Sequence, residues 1–502
     1  MGLLTSAGKF ILGRRLSSID HFSKNPLKFQ SKTLKGLLTK AKNTQYGKKY
    51  FFKEIKSYVD FKNNIPVVNY EDFFPEISKV LSGAENIIWP EKFKWFAKSS
   101  GTTNDKSKFI PVSDESLKKN HLSSGKDLLS QYINNNSSGI FDGYSVALGG
   151  SRQLVPHEKN KNIFVGDISA VLLKNLPFWA QSMRTPSLDV AMMPDWEEKI
   201  KLMAKITSKK NVTCLSGVPT WTIVLIKEIL KNTGASSILD IWPNLELFIH
   251  GAVSFVPYKQ VFNELIPAKK MNYLETYNAS EGFFAYQSDL KSDSMLLLTN
   301  HGIFYEFEDI VSGSICDLSG VELEKNYALI ISSCSGLWRY RIGDTIEFKS
   351  LSPYKLILTG RTKHFINAFG EELMVSNADK AIATCCQKLN CSFYNYTAGP
   401  IFMSGNKRGG HEWIIEFINP PENIRIFTSL LDDELKKINT DYEAKRYKDI
   451  ALKKPKIHFV NSGFFDFWLK NKKKLGGQNK IPRLSNDRRY LDELLKLIKD
   501  FQ

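Results

Sequence analysis

A run of hydroxyl residues surrounds one glycine between Ser99 and Thr103, and Lys106 and Lys108 follow it. Backbone N–H groups near a glycine can turn inward, and hydroxyl and ammonium groups add donors beside them, which is the chemistry that holds a polyphosphate. The segment lacks the Gly-Lys-Ser/Thr sequence and the following helical pattern of a P-loop. A triphosphate loop is therefore one interpretation, and a polar surface turn between two apolar runs is the other.

A second segment places an aromatic residue four positions before a carboxylate, in Tyr277 and Glu281, downstream of a Gly251-Ala252 turn. An aromatic face can stack a purine, and a carboxylate is a hard oxygen ligand that Mg²⁺ accepts beside phosphates. Taken alone, the same residues also fit a core aromatic and a surface charge.

Two further segments carry charged residues beside glycines. Arg339, Arg341 and Asp344 lie at a predicted strand end, where a carboxylate can accept from both hydroxyls of a ribose, although a structural Arg–Asp pair explains the same letters. Near the end of the chain, Lys480 follows Gly476-Gly477. Such a loop can carry a cation into a site built elsewhere, or it is a solvated tail.

The elements that position these residues indicate a large α/β unit. The first 80 or so residues have helical periodicity, with Gly47 as a stop, and short apolar runs then alternate with helical segments from Trp95 to about Phe348. Strands are predicted at 163–165 and 212–216 and a helix at 220–230. The runs 295–299 and 303–307 predict a hairpin around Asn300-His301-Gly302.

A second, smaller set of predicted helices and strands begins near Thr359. A helix is predicted at 377–389, strands at 393–397, 412–418 and 457–460, and one helix that carries Leu431, Leu435, Ile438 and Tyr442. The chain is therefore predicted to have an N-terminal unit at 1–358, a hinge at 359–366 and a small mobile α+β unit at 367–502.

The composition is that of a folded protein, with 42% apolar and 24% charged residues in 502. The net charge of +17 has a late concentration in 445–446, 453–456 and 470–474. This basic run matches no common nucleic-acid motif, and it is interpreted as a solvated face that attracts anionic small molecules. A basic binder of nucleic acid or membrane surfaces stays as an alternative class of function.

Six cysteines form no Cys-x-x-Cys pair, and the eight histidines stand singly. These features favour reduced thiols in a cytoplasmic protein without structural zinc. No apolar run reaches the ~18 residues of a membrane span, and the first residues lack the pattern of a signal peptide.

In their order and spacing these segments resemble the acyl-adenylate-forming superfamily. Within it they are most similar to the Gretchen Hagen family of auxin-responsive acyl acid amido synthetases and their bacterial homologues. The resemblance covers nearly the entire chain and is carried by SSGTTNDKSKFIPV, YNASEG, GLWRYRIGD, TGRTKHFINAFGEEL and GGQNKIPRL.

The resemblance implies a nucleotide site whose residues come from several segments. The triphosphate would be bound by Ser99, Ser100, Gly101, Thr102, Thr103 and Lys108, beside the turn at Gly251 and Ala252. Tyr277 would stack on adenine, Ser280 would touch phosphate, Asp344 would bind the ribose with Arg361 close by, and Glu281 with Thr102 would hold magnesium. Asn104 replaces the superfamily's glycine and the lysine falls one place later, so the choice between Lys106 and Lys108 stays open.

Two lysines acquire catalytic roles from the same resemblance. Lys480 resembles the mobile lysine that bridges carboxylate and α-phosphate during adenylation, and Lys380 resembles the lysine brought in for acyl transfer. Lys363 stands where the superfamily has its hinge residue, usually an aspartate, and this position departs from the superfamily pattern.

The implied activity is an ATP- and Mg²⁺-dependent ligase that joins a carboxylic acid to AMP and then to an amine, most simply that of an amino acid. A thioester-forming acyl-CoA ligase shares the first half-reaction and stays as the rival. The acid pocket is predicted between 164–179 and 217–226, with Phe178, Trp179, Val218, Trp221 and His250 as candidate lining residues. These side chains suit an apolar or aromatic acid better than a dicarboxylate, or they are core.

Overall fold

The structure is a computed structural model, and it describes residues 3–99, 108–148, 154–253, 255, 258–267, 270–361, 365–404, 407–471 and 482–501. Among the helices of these residues, none is long and apolar enough to cross a membrane.

The chain begins with five helices, as the periodicity predicts: α1 (Leu3–Lys24), α2 (Pro26–Ala41), α3 (Gln45–Lys49), α4 (Tyr58–Asn64) and α5 (Tyr70–Leu81). Gly47 is not a helix stop, because α2 already ends at Ala41 and Gly47 lies inside α3. A Cβ at Gly47 would lie 2.2 Å from the Ala41 carbonyl oxygen, so this glycine allows two backbone segments to approach each other.

Strands and helices then alternate. The elements are β1 (Trp95–Ser99), β2 (Lys108–Val112), α6 (Leu122–Asn135), β3 (Tyr144–Leu148), β4 (Val155–Pro156), β5 (Phe164–Gly166), α7 (Ile168–Lys174), α8 (Phe178–Ser182), β6 (Arg184–Thr185), α9 (Leu188–Ala191), α10 (Trp196–Thr207), β7 (Val212–Gly217), α11 (Pro219–Thr233), β8 (Leu247–Gly251), α12 (Lys259–Leu265) and β9 (Asn272–Ala279). The predicted strands at 163–165 and 212–216 and the helix at 220–230 are confirmed as β5, β7 and α11.

Antiparallel strands complete the first unit: β10 (Gly282–Gln287), β11 (Met295–Leu297), β12 (Ile303–Asp309), β13 (Ile315–Asp317), β14 (Asn326–Ser333), β15 (Tyr340–Leu351) and β16 (Tyr354–Arg361). They continue one twelve-stranded sheet of order β13-β12-β14-β15-β16-β11-β10-β9-β8-β7-β3-β6, in which β6, β3, β7, β8 and β9 are parallel. A second sheet has the order β2-β1-β5-β4.

The predicted hairpin around Asn300 is wrong. Strand β11 pairs with β10 and β16, whereas β12 pairs with β13 and β14. The buried Gln30 side chain explains the separation, because its amide donates to the carbonyls of Thr299 at 2.8 Å and Ile303 at 2.9 Å and accepts from the Tyr305 N–H at 2.9 Å. A side chain from α2 thus takes the backbone groups that a hairpin would pair.

The smaller second unit contains β17 (Phe365–Ile366), β18 (Leu373–Met374), α13 (Val375–Lys388), β19 (Ser392–Ile401), β20 (Gly410–Asn419), α14 (Ile424–Ile438), α15 (Thr440–Arg446), β21 (Lys456–Val460), α16 (Phe464–Asn471) and α17 (Arg489–Phe501). The strands predicted at 393–397, 412–418 and 457–460 are confirmed as β19, β20 and β21, and they form a sheet in that order. The single helix predicted to carry Leu431 and Tyr442 is wrong, because Asn439 ends α14 and its side chain accepts from the N–H groups of Asp441 and Tyr442 to start α15.

The two units share a core in which residues of α10, α11 and β8 pack with Phe369, Tyr442 and other apolar residues of the second unit. The mixed α/β fold with a large first and a small second unit agrees with the expectation, and the boundaries at 358 and 367 stay predictions. The basic run is not wholly solvated. Lys445 and Arg446 are buried, and Arg446 forms a bidentate pair with Asp432 at 2.6 and 2.7 Å.

Candidate active site

The carboxyl ends of the parallel strands β3, β7, β8 and β9 meet at one edge of the large sheet. In register, Leu148 lies opposite Gly217, Gly217 opposite His250, and Gly251 opposite Thr276. Ligands of α/β sheets bind outside the carboxyl ends of the strands. This edge, which we call the carboxyl edge, is the candidate active site.

The predicted turn at Gly251 and Ala252 lies at the carboxyl edge, where the backbone is closely packed. A Cβ on Gly251 would lie 2.6 Å from the carbonyl oxygen of Thr276, so only glycine fits there. Ala252 has a left-handed φ of 69°. Its carbonyl accepts from Asn367 Nδ2 at 3.1 Å, which joins the turn to the second unit.

Tyr277 and Asp344 meet although 67 residues separate them in the chain. The Tyr277 hydroxyl donates to Asp344 Oδ2 at 2.8 Å, and both side chains are buried. The Tyr277 ring lies 4.7 Å from Phe284, and Asp344 lies opposite Arg361, the last residue of β16. Adenine stacking by Tyr277 stays a prediction, and the structure adds that this tyrosine positions the carboxylate of Asp344.

The two arginines near Asp344 are bound by glutamates of β12. Arg339 is buried and donates to both carboxylate oxygens of Glu306 at 2.9 Å, and its other nitrogen donates to the Ile65 carbonyl at 2.6 Å. Arg341 donates to Glu308 twice at 2.7 Å. The two arginines thus form ion pairs with Glu306 and Glu308, and the Arg–Asp pair that the sequence also allowed is not needed to explain them.

The hydroxyl-rich loop connects two antiparallel strands, because Ser99 lies opposite Lys108 in the β1–β2 ladder. Its predicted residues Ser100, Gly101, Thr102, Thr103 and Lys106 lie outside the described residues. At the base of the loop, Lys108 Nζ lies 5.8 Å from the centroid of the Tyr70 ring, and the Phe109 N–H donates to the Tyr70 hydroxyl at 2.8 Å.

Ser280 and Glu281 form the turn between β9 and β10, where Ala279 lies opposite Gly282. The pKa of Tyr70 is raised to about 12 by burial and by nearby carboxylates that include Glu281. Glu281 therefore lies within electrostatic reach of Tyr70, at the base of the hydroxyl-rich loop. The structure thus brings together two segments that the sequence treats separately.

The donor set suits a metal that arrives with a nucleotide. Among the described residues, no group of three or more His, Cys, Asp or Glu side chains could hold a metal ion. Mg²⁺ in nucleotide sites takes one or two carboxylates and completes its shell with phosphate oxygens and water. A single carboxylate at Glu281, within electrostatic reach of Tyr70, is compatible with that pattern.

The predicted acid-binding residues differ in burial and do not all lie in one place. Trp221 is buried in α11 and stacks on Trp196, His250 is buried against Phe255, and burial lowers the pKa of His250 to about 3. Val218 precedes α11 at the carboxyl edge. Phe178 and Trp179 are 88% and 41% exposed on α8. Their roles stay predictions.

The predicted catalytic lysines belong to the second unit. Lys380 is exposed on α13, next to Asp379, which accepts from Arg483 at 2.7 Å and from the Tyr396 hydroxyl at 2.6 Å. Lys480 and Lys363 lie outside the described residues.

Sequence reasoning missed three charged residues that interact electrostatically where the two units pack together: Asp167, Lys199 and Lys445. Asp167 follows β5, so a carboxylate directly after a strand was a signal that could have found it. The two lysines are buried, and they gave no signal because one lies in a helix of ordinary charge pattern and the other in a basic run.

Comparisons with solved structures identify the class of this fold. A GH3.15 acyl acid amido synthetase superposes with a TM-score of 0.62 at 18% identity, covering 97% of this chain and 95% of that chain. A 2-hydroxyisobutyryl-CoA ligase in its thioesterification state gives a TM-score of 0.56 at 12% identity, over 95% and 92% of the two chains. The fold is that of the acyl-adenylate-forming enzymes.

Sequence comparisons are more specific. Models of the GH3 family match its N-terminal domain to residues 15–271, its central domain to 296–361 and its C-terminal domain to 376–489. The chain belongs to the GH3 family.

Named relatives come from Arabidopsis thaliana. The indole-3-acetic acid-amido synthetase GH3.5 is 22% identical over 94% of this chain and 90% of its own length, and GH3.3 is 20% identical over 90% and 88%. The family, the fold class and the assignment to the ligases, all expected from the sequence, are confirmed.

Proposed function

We propose that the protein is an ATP-dependent acyl acid amido synthetase. It would join a carboxylic acid to AMP with release of pyrophosphate, and the amine of an amino acid would then attack the acyl-AMP to form an amide. The observation that carries the proposal is that a GH3-family chain has a buried Tyr277–Asp344 pair, and that its Glu281 acts electrostatically on Tyr70, whose hydroxyl accepts from Phe109 next to the end of the hydroxyl-rich loop.

Each part of this assembly suits one part of MgATP. A buried carboxylate such as Asp344 can accept from both hydroxyls of a ribose, and the bond from Tyr277 fixes its orientation. The loop after Ser99 would surround the phosphates, with Lys108 or Lys106 adding a positive charge. Glu281, with Thr102, would hold the Mg²⁺ that accompanies ATP, and this ion offsets the phosphate charge.

Adenylation is needed because the oxygen that must leave a carboxylate is strongly basic. A carboxylate oxygen attacks the α-phosphorus of ATP, and the bond between that phosphorus and the oxygen of pyrophosphate breaks. The acyl group is then joined to AMP, which is a stable leaving group. Two anions must approach each other in this step, and positioned cations stabilise the charge that develops. We assign that role to Lys480, with Arg361 nearby, and we assign the second step to Lys380.

The acid is proposed to be apolar or aromatic, because Val218 and Trp221 follow β7, His250 lies at the end of β8 and Phe255 follows β8. GH3.3 and GH3.5 are named for indole-3-acetic acid, so this acid is the first one to test. All six cysteines are free thiols, which supports the proposed cytoplasmic location.

The proposal is tested by ATP–pyrophosphate exchange with a panel of carboxylic acids that begins with indole-3-acetic acid. Exchange should depend on both an acid and Mg²⁺. Absence of exchange with every acid would reject the proposal. Addition of single amino acids or of coenzyme A to the active acid then separates amide formation from the rival thioester formation.

A further inference from the structure

Two buried lysines flank a pair of stacked tryptophans where the two units pack together. The rings of Trp196 and Trp221 lie 3.9 Å apart. Lys199 Nζ lies 4.6 Å from the Trp196 centroid, and Lys445 Nζ lies 4.2 Å from the Trp221 centroid. Lys199 is 1% exposed and Lys445 is 5% exposed. Among the described residues, no carboxylate lies within ion-pair distance of either ammonium group.

Burial of these ammonium groups is unfavourable. It lowers the pKa of each lysine to about 8, although Asp167 acts in the opposite direction on both and Asp441 and Glu371 do so on Lys445. A buried cation that lacks an ion-pair partner destabilises a fold, and strongly shifted ionisable groups concentrate at functional sites.

Lys445 is the lysine that lies next to the carboxyl edge. A Cβ on Gly370 would lie 3.5 Å from Lys445 Nζ and 3.7 Å from Val218 Cγ1. Val218 is the residue before the fifteen-residue helix α11, and Gly217 before it ends β7. The ammonium group therefore lies near the amino end of α11, where the helix dipole and the first N–H groups favour an anion.

We propose that Lys445 and the amino end of α11 bind the carboxylate of the acceptor amino acid. This inference rests on the proposed function. The carboxylate of the acid that is activated loses its charge when acyl-AMP forms, whereas an amino acid keeps its carboxylate through amide formation. A persistent anion-binding position therefore suits the acceptor better than the activated group.

The origin of the two components supports the same assignment. Lys445 belongs to α15 of the second unit, and α11 belongs to the first. The subsite is complete only while the units are packed as in this structure, which also joins Thr220 Oγ1 to the Phe369 carbonyl at 3.2 Å. The activated acid must be held throughout both half-reactions, whereas the acceptor is needed only in the second.

The test compares a nucleophile that has a carboxylate with one that has none. Acyl-AMP formed from the active acid is captured either by the amino acid that reacts best or by hydroxylamine, and kcat/KM is measured for each. Lys445→Met should reduce the ratio of the amino acid value to the hydroxylamine value at least tenfold. Lys445→Gln, which retains a hydrogen-bond donor, should give an intermediate ratio.

Lys199→Met is the matched control, because Lys199 is equally buried on the other tryptophan but belongs to the first unit. Its ratio should stay within twofold of wild type, as should that of the exposed Lys453→Met. An unchanged ratio in Lys445→Met, an equal fall in Lys199→Met, or a raised KM for the carboxylic acid in place of the amino acid would overturn the assignment. Wild-type protein without any acid-dependent exchange would instead reject the proposed function.

Discussion

The hydroxyl of Tyr277 donates to Asp344 Oδ2 across 2.8 Å, and this bond joins β9 to β15 within the buried floor of the candidate nucleotide site. The two strands are not neighbours in the twelve-stranded sheet, because β10, β11 and β16 lie between them, so the bond links distant parts of the sheet. The bond gives the tyrosine a positioning role toward the proposed ribose-binding carboxylate.

Replacement of Tyr277 by phenylalanine removes that bond and keeps the ring. We expect ATP and AMP to bind about 1 kcal/mol more weakly, because Asp344 loses a partner that orients it. Calorimetric titration of both nucleotides measures the effect. Tyr286→Phe is the control, since its buried hydroxyl donates to Gln131 at 2.7 Å. Equal nucleotide affinities in wild type and Tyr277→Phe would exclude the positioning role.

Asp344→Asn should weaken ATP and AMP alike, by about 1.5–3 kcal/mol, since both nucleotides carry the ribose and lose hydrogen bonds to a charged group. Glu308→Gln is the control for its neighbourhood, because it disturbs only the Arg341 pair and should cost about 1 kcal/mol or less of stability. If Asp344→Asn strongly lowers Tm while the folded protein keeps its nucleotide affinity, the aspartate has a structural role instead.

Glu281→Gln should remove the Mg²⁺ dependence of pyrophosphate exchange together with most of its rate, because the amide is a much poorer ligand for Mg²⁺. Exchange is measured as a function of Mg²⁺ concentration. Glu71→Gln is a suitable control, since Glu71 is another carboxylate that acts on Tyr70. A Mg²⁺ titration curve identical to that of wild type would refute the assignment of Glu281.

The buried lysine predicts a pH-dependent stability. The pKa of Lys445 is about 8 in the folded protein against 10.5 as the ordinary value, so the unfolded chain binds more protons between these values and wild-type stability rises with pH in this window. The charged groups that face Lys445 are Asp441, Glu371 and Asp167, and all three act against the lowering of its pKa by burial.

Lys445→Met removes this cost. At pH 7 it should raise the free energy of unfolding by about 2 kcal/mol. This is the free energy that corresponds to the lowered pKa, reduced by the cation–π contact with Trp221 that the substitution removes. The gain should disappear near pH 10.5, where the wild-type lysine is neutral when folded. Urea unfolding at pH 7 and pH 10.5 measures both. A variant that is less stable than wild type at pH 7 would show that burial of the charge is compensated.

Local patterns predicted most elements of the fold, and the errors have local physical causes. Apolar runs identified β5, β7 and α11, because most of the apolar residues of these segments are buried in the core. The hairpin at Asn300 failed because Gln30 of a distant helix bonds both of its sides. The helix break at Asn439 was a capping signal that heptad-like apolar spacing concealed.

Long-range features of the site were beyond sequence reasoning. The pairing of Tyr277 with Asp344 depends on strand order, and strand order is set by packing across the whole sheet. The burial of Lys445 depends on contact between the two units. A basic residue in a charged run is ordinarily solvated, so its pattern gave the opposite expectation.

The most direct test of the central claim is the identity of the product. Wild-type protein is incubated with MgATP, the acid that supports exchange, and either amino acids or coenzyme A, and the products are identified by mass spectrometry with AMP quantified beside them. The account predicts an acid–amino acid amide formed in a one-to-one ratio with AMP. A thioester as the only acyl product, or ATP cleavage to ADP, would contradict it.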